Sequence, residues 1–149
     1  MSATPREMEG YTLIEMIVVL GVLALILSTT LSLNFRGSES RKLQEQAREI
    51  SMMLKAARTE AVIKNAETGV EADLSTNVIS IHGKSERLII DKRLRLKLLT
   101  ARQEVMGDKG SIRFFPNGTS TGGVVMLQSG ERSAAVHVDW LTAKISLSR

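Results

Sequence analysis

Polar and apolar positions divide the chain into three stretches of different texture. From Met16 to Leu27 no polar side chain occurs, and with its flanks the apolar run reaches from Tyr11 to Leu33 with one charge, Glu15. A helix of that length spans roughly 34 Å at about 1.5 Å per residue, enough to cross a hydrocarbon core of about 30 Å. A cleaved secretory signal would need a basic start and an early small-residue cut site. The basic start is almost missing and no such cut site follows at once, so a retained span is expected. Asn34-Phe35-Arg36-Gly37-Ser38 follows as a short polar stretch, either a hinge or continuous helix. From Glu39 the helical period returns: Leu43, Ala47, Ile50, Leu54, Ala57 and Ala61 recur at alternating spacings of four and three, one apolar stripe on a helix. Arg41 with Glu45, and Glu60 with Lys64, stand four apart on the wet face. The stripe is narrow and rich in alanine, so a closely packed partner is expected, and a sheet of the same chain is the economical one.

After Gly69 the texture becomes that of short strands. Val70–Asp73 and Val78–His82 flank a hairpin turn, and Leu88–Ile90 and Leu94–Leu99 follow. Leu94, Leu96 and Leu98 alternate with Arg95 and Lys97, the mark of a half-buried strand. Ile112–Phe115, Val124–Leu127, Ala134–Val138 and Ile145–Leu147 complete about eight strands. Strands this short and close favour antiparallel pairing. The expected fold is α+β, a long N-terminal helix packed on an antiparallel β-sheet layer. Between two of the strands, Pro116-Asn117-Gly118 reads as a turn and Thr121-Gly122-Gly123 as the entry to the next strand.

Composition changes this picture little. The chain has 149 residues, a net charge of +4 and no cysteine, which excludes a disulfide scaffold and any thiolate metal site. Chemistry is equally sparse. His82 and His137 stand far apart in strand-like segments, no nucleophile elbow surrounds a serine, and the carboxylates lack metal-loop spacing. The glycines of 110–123 have no following helix and no Gly-Lys-Ser/Thr, so they do not make a phosphate loop. No catalysis, metal or cofactor is expected. Lys84, Arg87, Lys92, Arg93, Arg95, Lys97 and Arg102 form a basic run that could follow a phosphate backbone, but it lacks interleaved aromatics. It reads as a solvated strand face, and nucleic acid is not expected as a partner.

Gly10-Tyr11-Thr12-Leu13-Ile14-Glu15, followed by the unbroken apolar helix, resembles the class III signal of type IV pilins and type II secretion pseudopilins. The Gly110–Val125 stretch, with Pro116, Gly118, Gly122 and Gly123, and the later Val138-Asp139-Trp140-Leu141-Thr142-Ala143-Lys144-Ile145 are similar to the C-terminal half of GspH/FimT-type minor pseudopilins, with Ala143 where glycine is common. The resemblance implies a pilin-like fold and a fourfold division: a leader at 1–10, a transmembrane and filament-core helix at 11–33, an amphipathic continuation at 34–66 and a periplasmic β-rich domain at 67–149. It implies cleavage between Gly10 and Tyr11 by a prepilin peptidase, N-methylation of Tyr11, and pairing of Glu15 with the amine of a neighbouring subunit. The implied function is that of a minor pseudopilin near the tip of a type II secretion pseudopilus, partnered by other pseudopilins and anchored in the bacterial inner membrane. The alternative is a minor pilin of a type IV pilus, one that binds DNA. Lysine and arginine counts alone would place the C-terminal domain in the cytoplasm; the signal-like motif implies the opposite orientation.

Overall fold

In the computed structural model the described residues are 12–101 and 104–148, and for 29–38 the description is of the backbone alone. Gly10, Tyr11 and Arg102 lie outside them. One helix, α1 (Leu13–Ile63), is followed by nine strands: β1 (Thr68–Asp73), β2 (Val78–Ile81), β3 (Arg87–Ile89), β4 (Arg95–Leu99), β5 (Val105–Met106), β6 (Lys109–Phe114), β7 (Gly123–Ser129), β8 (Arg132–Val138) and β9 (Ile145–Ser148). The polar stretch at 34–38 lies within the helix. The chain divides into two compact units, the first ending at Ser38 and the second beginning at Glu39.

In the first unit Thr12 caps the helix: the Glu15 amide donates to both the Thr12 carbonyl, at 3.1 Å, and its hydroxyl, at 3.3 Å. Apolar side chains from Leu13 to Leu27 are exposed all around the helix. Among the described residues no helix is long and apolar enough to cross a membrane.

The second unit is built on the stripe read from the sequence. Leu43, Ala47, Ile50, Leu54, Ala57 and Ala61 are all buried, because spacings of three and four keep them on one face. The helix ends where Asn65 enters the left-handed region at φ 48°, and the Ala66 amide reaches back to the Ala61 carbonyl. Asparagine tolerates that conformation at a helix C-terminus. On the wet face Glu60 pairs with Lys64 as the spacing suggests, whereas Glu45 pairs with Lys42, three residues away, rather than with Arg41.

The strands form two antiparallel sheets rather than the single layer expected, ordered β3-β2-β1-β6-β5 and β4-β7-β8-β9. The two-residue β5 carries no readable alternation, and it was absent from the sequence reading. Inward-facing Val70, Ala72, Ile79, Ile81, Ile112 and Phe114 of the first sheet join Leu96, Val125, Leu127, Ala134, Val136 and Val138 of the second and the helix stripe in one core. The sheets adjoin where Leu98 of β4 lies over Gly110 of β6; a methyl group on Gly110 would fall 2.5 Å from Leu98. The Thr100 hydroxyl, just beyond β4, donates to the Ser111 carbonyl of β6 at 3.0 Å.

Gln46 is the one amide buried in the helix interface, and its position explains its cost. Its Nε2 donates to the Ile89 carbonyl at 3.1 Å and its Oε1 accepts from the Asp91 amide at 3.0 Å. The side chain thereby acts as a strand partner for the segment joining β3 to β4. Replacing it with leucine preserves bulk but leaves both backbone groups unpaired. Gln46→Leu is expected to destabilise the second unit by about 1–3 kcal/mol, measured by urea denaturation of a fragment beginning near Asn34.

Candidate functional site

Turn chemistry dominates the second unit where the glycine-rich stretch meets the end of β8. Pro116 and Asn117 are the central residues of a turn closed by the Gly118 amide donating to the Phe115 carbonyl at 3.0 Å. The Asn117 carboxamide accepts from the Thr119 amide and hydroxyl. Two residues on, Ser120 ties this turn to another. Its amide donates to the Trp140 carbonyl at 2.9 Å, its hydroxyl donates to the Asp139 carbonyl at 3.0 Å, and the same hydroxyl accepts from the Gly122 amide at 3.1 Å.

Gly122 has φ 70°, and a Cβ there would sit 2.9 Å from the Trp140 Cβ and 3.3 Å from its backbone. Gly123 would meet the Leu99 carbonyl at 2.8 Å. Both positions therefore demand glycine for backbone conformation and close approach together. The structure brings Gly122 against Trp140 of the Asp139–Lys144 turn and Gly123 against Leu99 and Ile112, while Pro116 and Gly118 form the separate tip.

The Asp139–Lys144 turn is held by its own carboxylate. Asp139 Oδ1 accepts from the Leu141 amide, the Thr142 amide and the Thr142 hydroxyl. These bonds, the Thr142 amide first, hold the Asp139 carboxyl below its ordinary pKa. Arg58 of α1 donates to the Thr142 carbonyl at 3.1 Å, so the helix end grips the same turn. Ala143 is fully buried at φ 47°, a conformation in which L-residues are strained. That is the position where the resemblance noted glycine as common. Ser120 and Arg58 were not singled out from sequence, since a serine between glycines and an arginine on a wet face look ordinary until the fold sets them beside this turn.

A second polar cluster was likewise invisible in sequence. Glu104, 7% exposed, pairs with Arg113 of β6 and accepts from the Ser111 hydroxyl at 2.6 Å. Arg113 also reaches Glu67 at 2.9 Å and lies over the Phe115 ring. The Arg113 guanidinium, then the Ser111 hydroxyl, hold the Glu104 carboxyl below its ordinary value against the opposing effect of burial.

The basic run is not one patch. Lys84 is joined to Glu60 at 2.5 Å, and Arg93 forks onto Asp91, whose carboxyl it holds well below the usual range. Arg95 and Lys97 point from the exposed side of β4. Among the described residues no cluster of three or more histidine or acidic side chains could hold a metal. His82 and His137 are both exposed, and His137 meets the Ser148 hydroxyl at 3.0 Å.

A helix stripe under an antiparallel β domain is an arrangement that known proteins share. The family model described as type II transport protein GspH matches residues 46–142. The chain belongs to that family. Type II secretion system protein H of Xanthomonas campestris pv. campestris is 26% identical over 141 residues, covering 94% of this chain and 83% of the relative. Among solved structures, the type IV minor pilin FimU of Pseudomonas aeruginosa superposes with a TM-score of 0.59 at 18% identity, over 75% of this chain and 92% of FimU. The minor pseudopilin EpsH from the type 2 secretion system of Vibrio cholerae gives 0.58 at 13% identity, over 72% and 96%. These structural likenesses establish the pilin-like fold. The family and the relative make this GspH-family chain a minor pseudopilin of type II secretion. The family match includes 83–109, the segment without family marks in the sequence.

The Glu104–Arg113 pair makes a testable contribution. A carboxyl whose pKa falls on folding stabilises above its unfolded value, and that stabilisation is lost as pH drops through the folded value. Glu104→Gln is expected to be less stable than the native chain by about 1–3 kcal/mol near pH 7, with the gap closing below about pH 4. Thermal denaturation across that range checks it.

Proposed function

We propose that this minor pseudopilin is a single-pass protein of the bacterial inner membrane that is processed, inserted and then drawn into a periplasmic pseudopilus near its tip, where it aids export of folded proteins. The observation that carries this reading is the first unit: apolar side chains cover the helix on every side from Leu13 to Leu27, and one carboxylate, Glu15, stands in its first turn. Such a surface is costly in water and suited to lipid or to a bundle of like helices. With the flanks read from the sequence, the apolar segment is long enough to span.

In this reading residues 1–10 are a leader removed by a prepilin peptidase, 11–33 serve as membrane span and then filament core, and the β-rich remainder faces the periplasm. Other pseudopilins of the filament are the partners. Glu15 has a local role in the structure, since Thr12 and Glu15 have the spacing of a capping box and an acid in the first turn suits the helix dipole. Its proposed second role is to meet the amine of a neighbouring subunit. Two lone charges in an apolar bundle are costly, and pairing offsets much of that cost.

Mass spectrometry of the membrane form is expected to show a chain beginning with N-methyl-tyrosine at Tyr11. An intact Met1, or a cut beyond Leu27, contradicts the reading. For Glu15→Leu, membrane abundance is expected to hold, because the helix becomes more apolar. Crosslinking to partner pseudopilins is expected to fall several-fold. Unchanged crosslinking would reduce Glu15 to a helix-capping acid.

A further inference from the structure

The two sheets carry charge differently. In the five-stranded sheet cations meet acids: Lys109 of β6 pairs with Glu71 and Asp73 of β1, and Arg113 of β6 pairs with Glu67 and Glu104. The strands of the four-stranded sheet, β4-β7-β8-β9, contain no aspartate or glutamate. Cross-strand partners share a face, so the register sets Arg95, Lys97 and Leu99 of β4 on one side with Val124 and Met126 of β7 and His137 of β8. That side faces away from the core, which takes Leu96, Val125, Leu127 and Val136 from the other. Arg95 and Lys97 are exposed. Among the described residues neither the Arg95 guanidinium nor the Lys97 ammonium has a hydrogen-bond or ion-pair partner. The acids that flank β8 in the chain, Glu131 and Asp139, lie in the turns beyond its two ends, and Asp139 Oδ1 is taken by three donors of its own turn.

Apolar groups lie beside these cations. Leu99 is 57% exposed, and Val124 and Met126 are half-buried on the same side. At that end Trp140, 65% exposed, lines one shallow hollow with Leu99, Val124, His137 and Lys144. The backbone groups of β7 and β8 are taken up by ladders on both sides. Side chains alone are therefore left to grip an occupant, which must satisfy its own backbone bonds, as a helix does. The dimensions agree. Four strands about 4.8 Å apart are roughly 14 Å across, against a helix about 10 Å thick. Two residues apart on a strand, Arg95 and Lys97 are separated by about 6.8 Å; carboxylates four apart on a helix are separated by about 6 Å along its axis.

We propose that the outer face of the four-stranded sheet is a docking surface for an amphipathic, acidic helix of another protein. Its apolar stripe covers Leu99, Val124 and Met126, and its carboxylates meet Arg95 and Lys97. The aliphatic strip favours this occupant over a nucleic-acid backbone, which would match the cations but set phosphate and sugar on Leu99 and Met126. A second copy of this chain is a poor occupant. A face without acids supplies no carboxylates to itself. The exposed positions of α1 beyond Ser38 are also mainly cationic, with Arg41, Lys42, Arg48, Lys55 and Arg58 against Glu39 and Glu45. The inference does not rest on the membrane and processing roles proposed above.

Trp140 is the single tryptophan, and its fluorescence can report occupancy. The full chain in uncharged detergent micelles is titrated with end-blocked helical peptides free of tryptophan. Each has about 16 residues and is roughly 24 Å long, the length of the seven-residue β7 and β8. The first carries leucines at i, i+3, i+4 and i+7 spacing, flanked by glutamates four apart. The second has lysine for each glutamate. The third has the composition of the first with the leucine stripe scrambled. The first is expected to give a saturable change and to bind about tenfold tighter than either of the others. Arg95→Glu with Lys97→Glu is expected to reverse the preference between the first two. Leu99→Gln is expected to weaken the first several-fold. Circular dichroism is expected to be unchanged in both variants. Should the double variant unfold, Leu99→Gln and the three peptides on the native chain decide. No saturable change with the first peptide up to millimolar concentration overturns the proposal. Equal affinity for the first and either of the others does the same. A single-stranded oligonucleotide bound more tightly than the first peptide would assign the face to nucleic acid. A concentration-dependent dimer lost in the double variant would assign it to a second copy, and either result overturns the proposal.

Discussion

Burial of the alanine-rich stripe of α1 against two antiparallel sheets is the constraint from which the folded unit follows. Ala47, Ala57 and Ala61 are fully buried, and the larger Leu43, Ile50 and Leu54 share the stripe with them. Small and large residues in one stripe let side chains from both sheets interdigitate with the helix at the density of a protein interior. Phe114, Ile79, Ile112, Leu127 and Val136 complete that packing from the sheet side. A single sheet would leave part of such a helix face uncovered; two sheets meeting at Leu98 and Gly110 cover it.

Polar side chains of α1 tie the helix to other parts of the second unit. Gln46 takes the backbone between β3 and β4, Arg58 takes the Asp139–Lys144 turn, and Glu60 takes Lys84 beyond β2. Arg58 and Glu60 link the helix to connections, and Gln46 links it to the last residue of β3 and to the segment beyond. Connections have backbone groups without ladder partners, so a buried side chain that satisfies them removes a desolvation cost as well as adding a bond. The same logic holds at Glu104, whose carboxylate would be costly beside β6 without Arg113 and Ser111.

The two units spend their apolar side chains differently. In the second, the apolar residues turn inward and a polar surface faces out, as a folded domain in water requires. In the first, they face outward around the whole helix, the surface on which the proposed membrane and filament-core roles rest. The proposed roles need both: a segment suited to lipid and to a filament core, and a domain that stays folded in water. Glu15 stands at the start of the apolar segment, in the first turn of the helix, where an acid suits the helix dipole.

The helix stripe was legible residue by residue, because a period of three and four specifies one face whatever lies against it. Eight of the nine strands were legible, close to their limits, because alternation and turn residues are local signals; β5 was not, being two residues long. The Pro116–Gly118 turn and the entry at Gly122-Gly123 could also be read from local residue chemistry. The pairing of strands into two sheets could not, since register between Val70 and Ile112, or between Leu96 and Leu127, joins residues far apart in the chain. Nor could the roles of Ser120, Arg58, Gln46 and Glu104, whose meaning lies in which backbone groups the fold brings within hydrogen-bond reach. The sequence alone determined the apolar segment, the amphipathic helix and the strand-rich remainder, because each depends on near neighbours in the chain. Tertiary structure decided the two-sheet pairing, the lock between the glycine-rich turn and the Trp140 turn, and the gathering of four acid-free strands into one sheet, because each depends on contacts that no local pattern encodes.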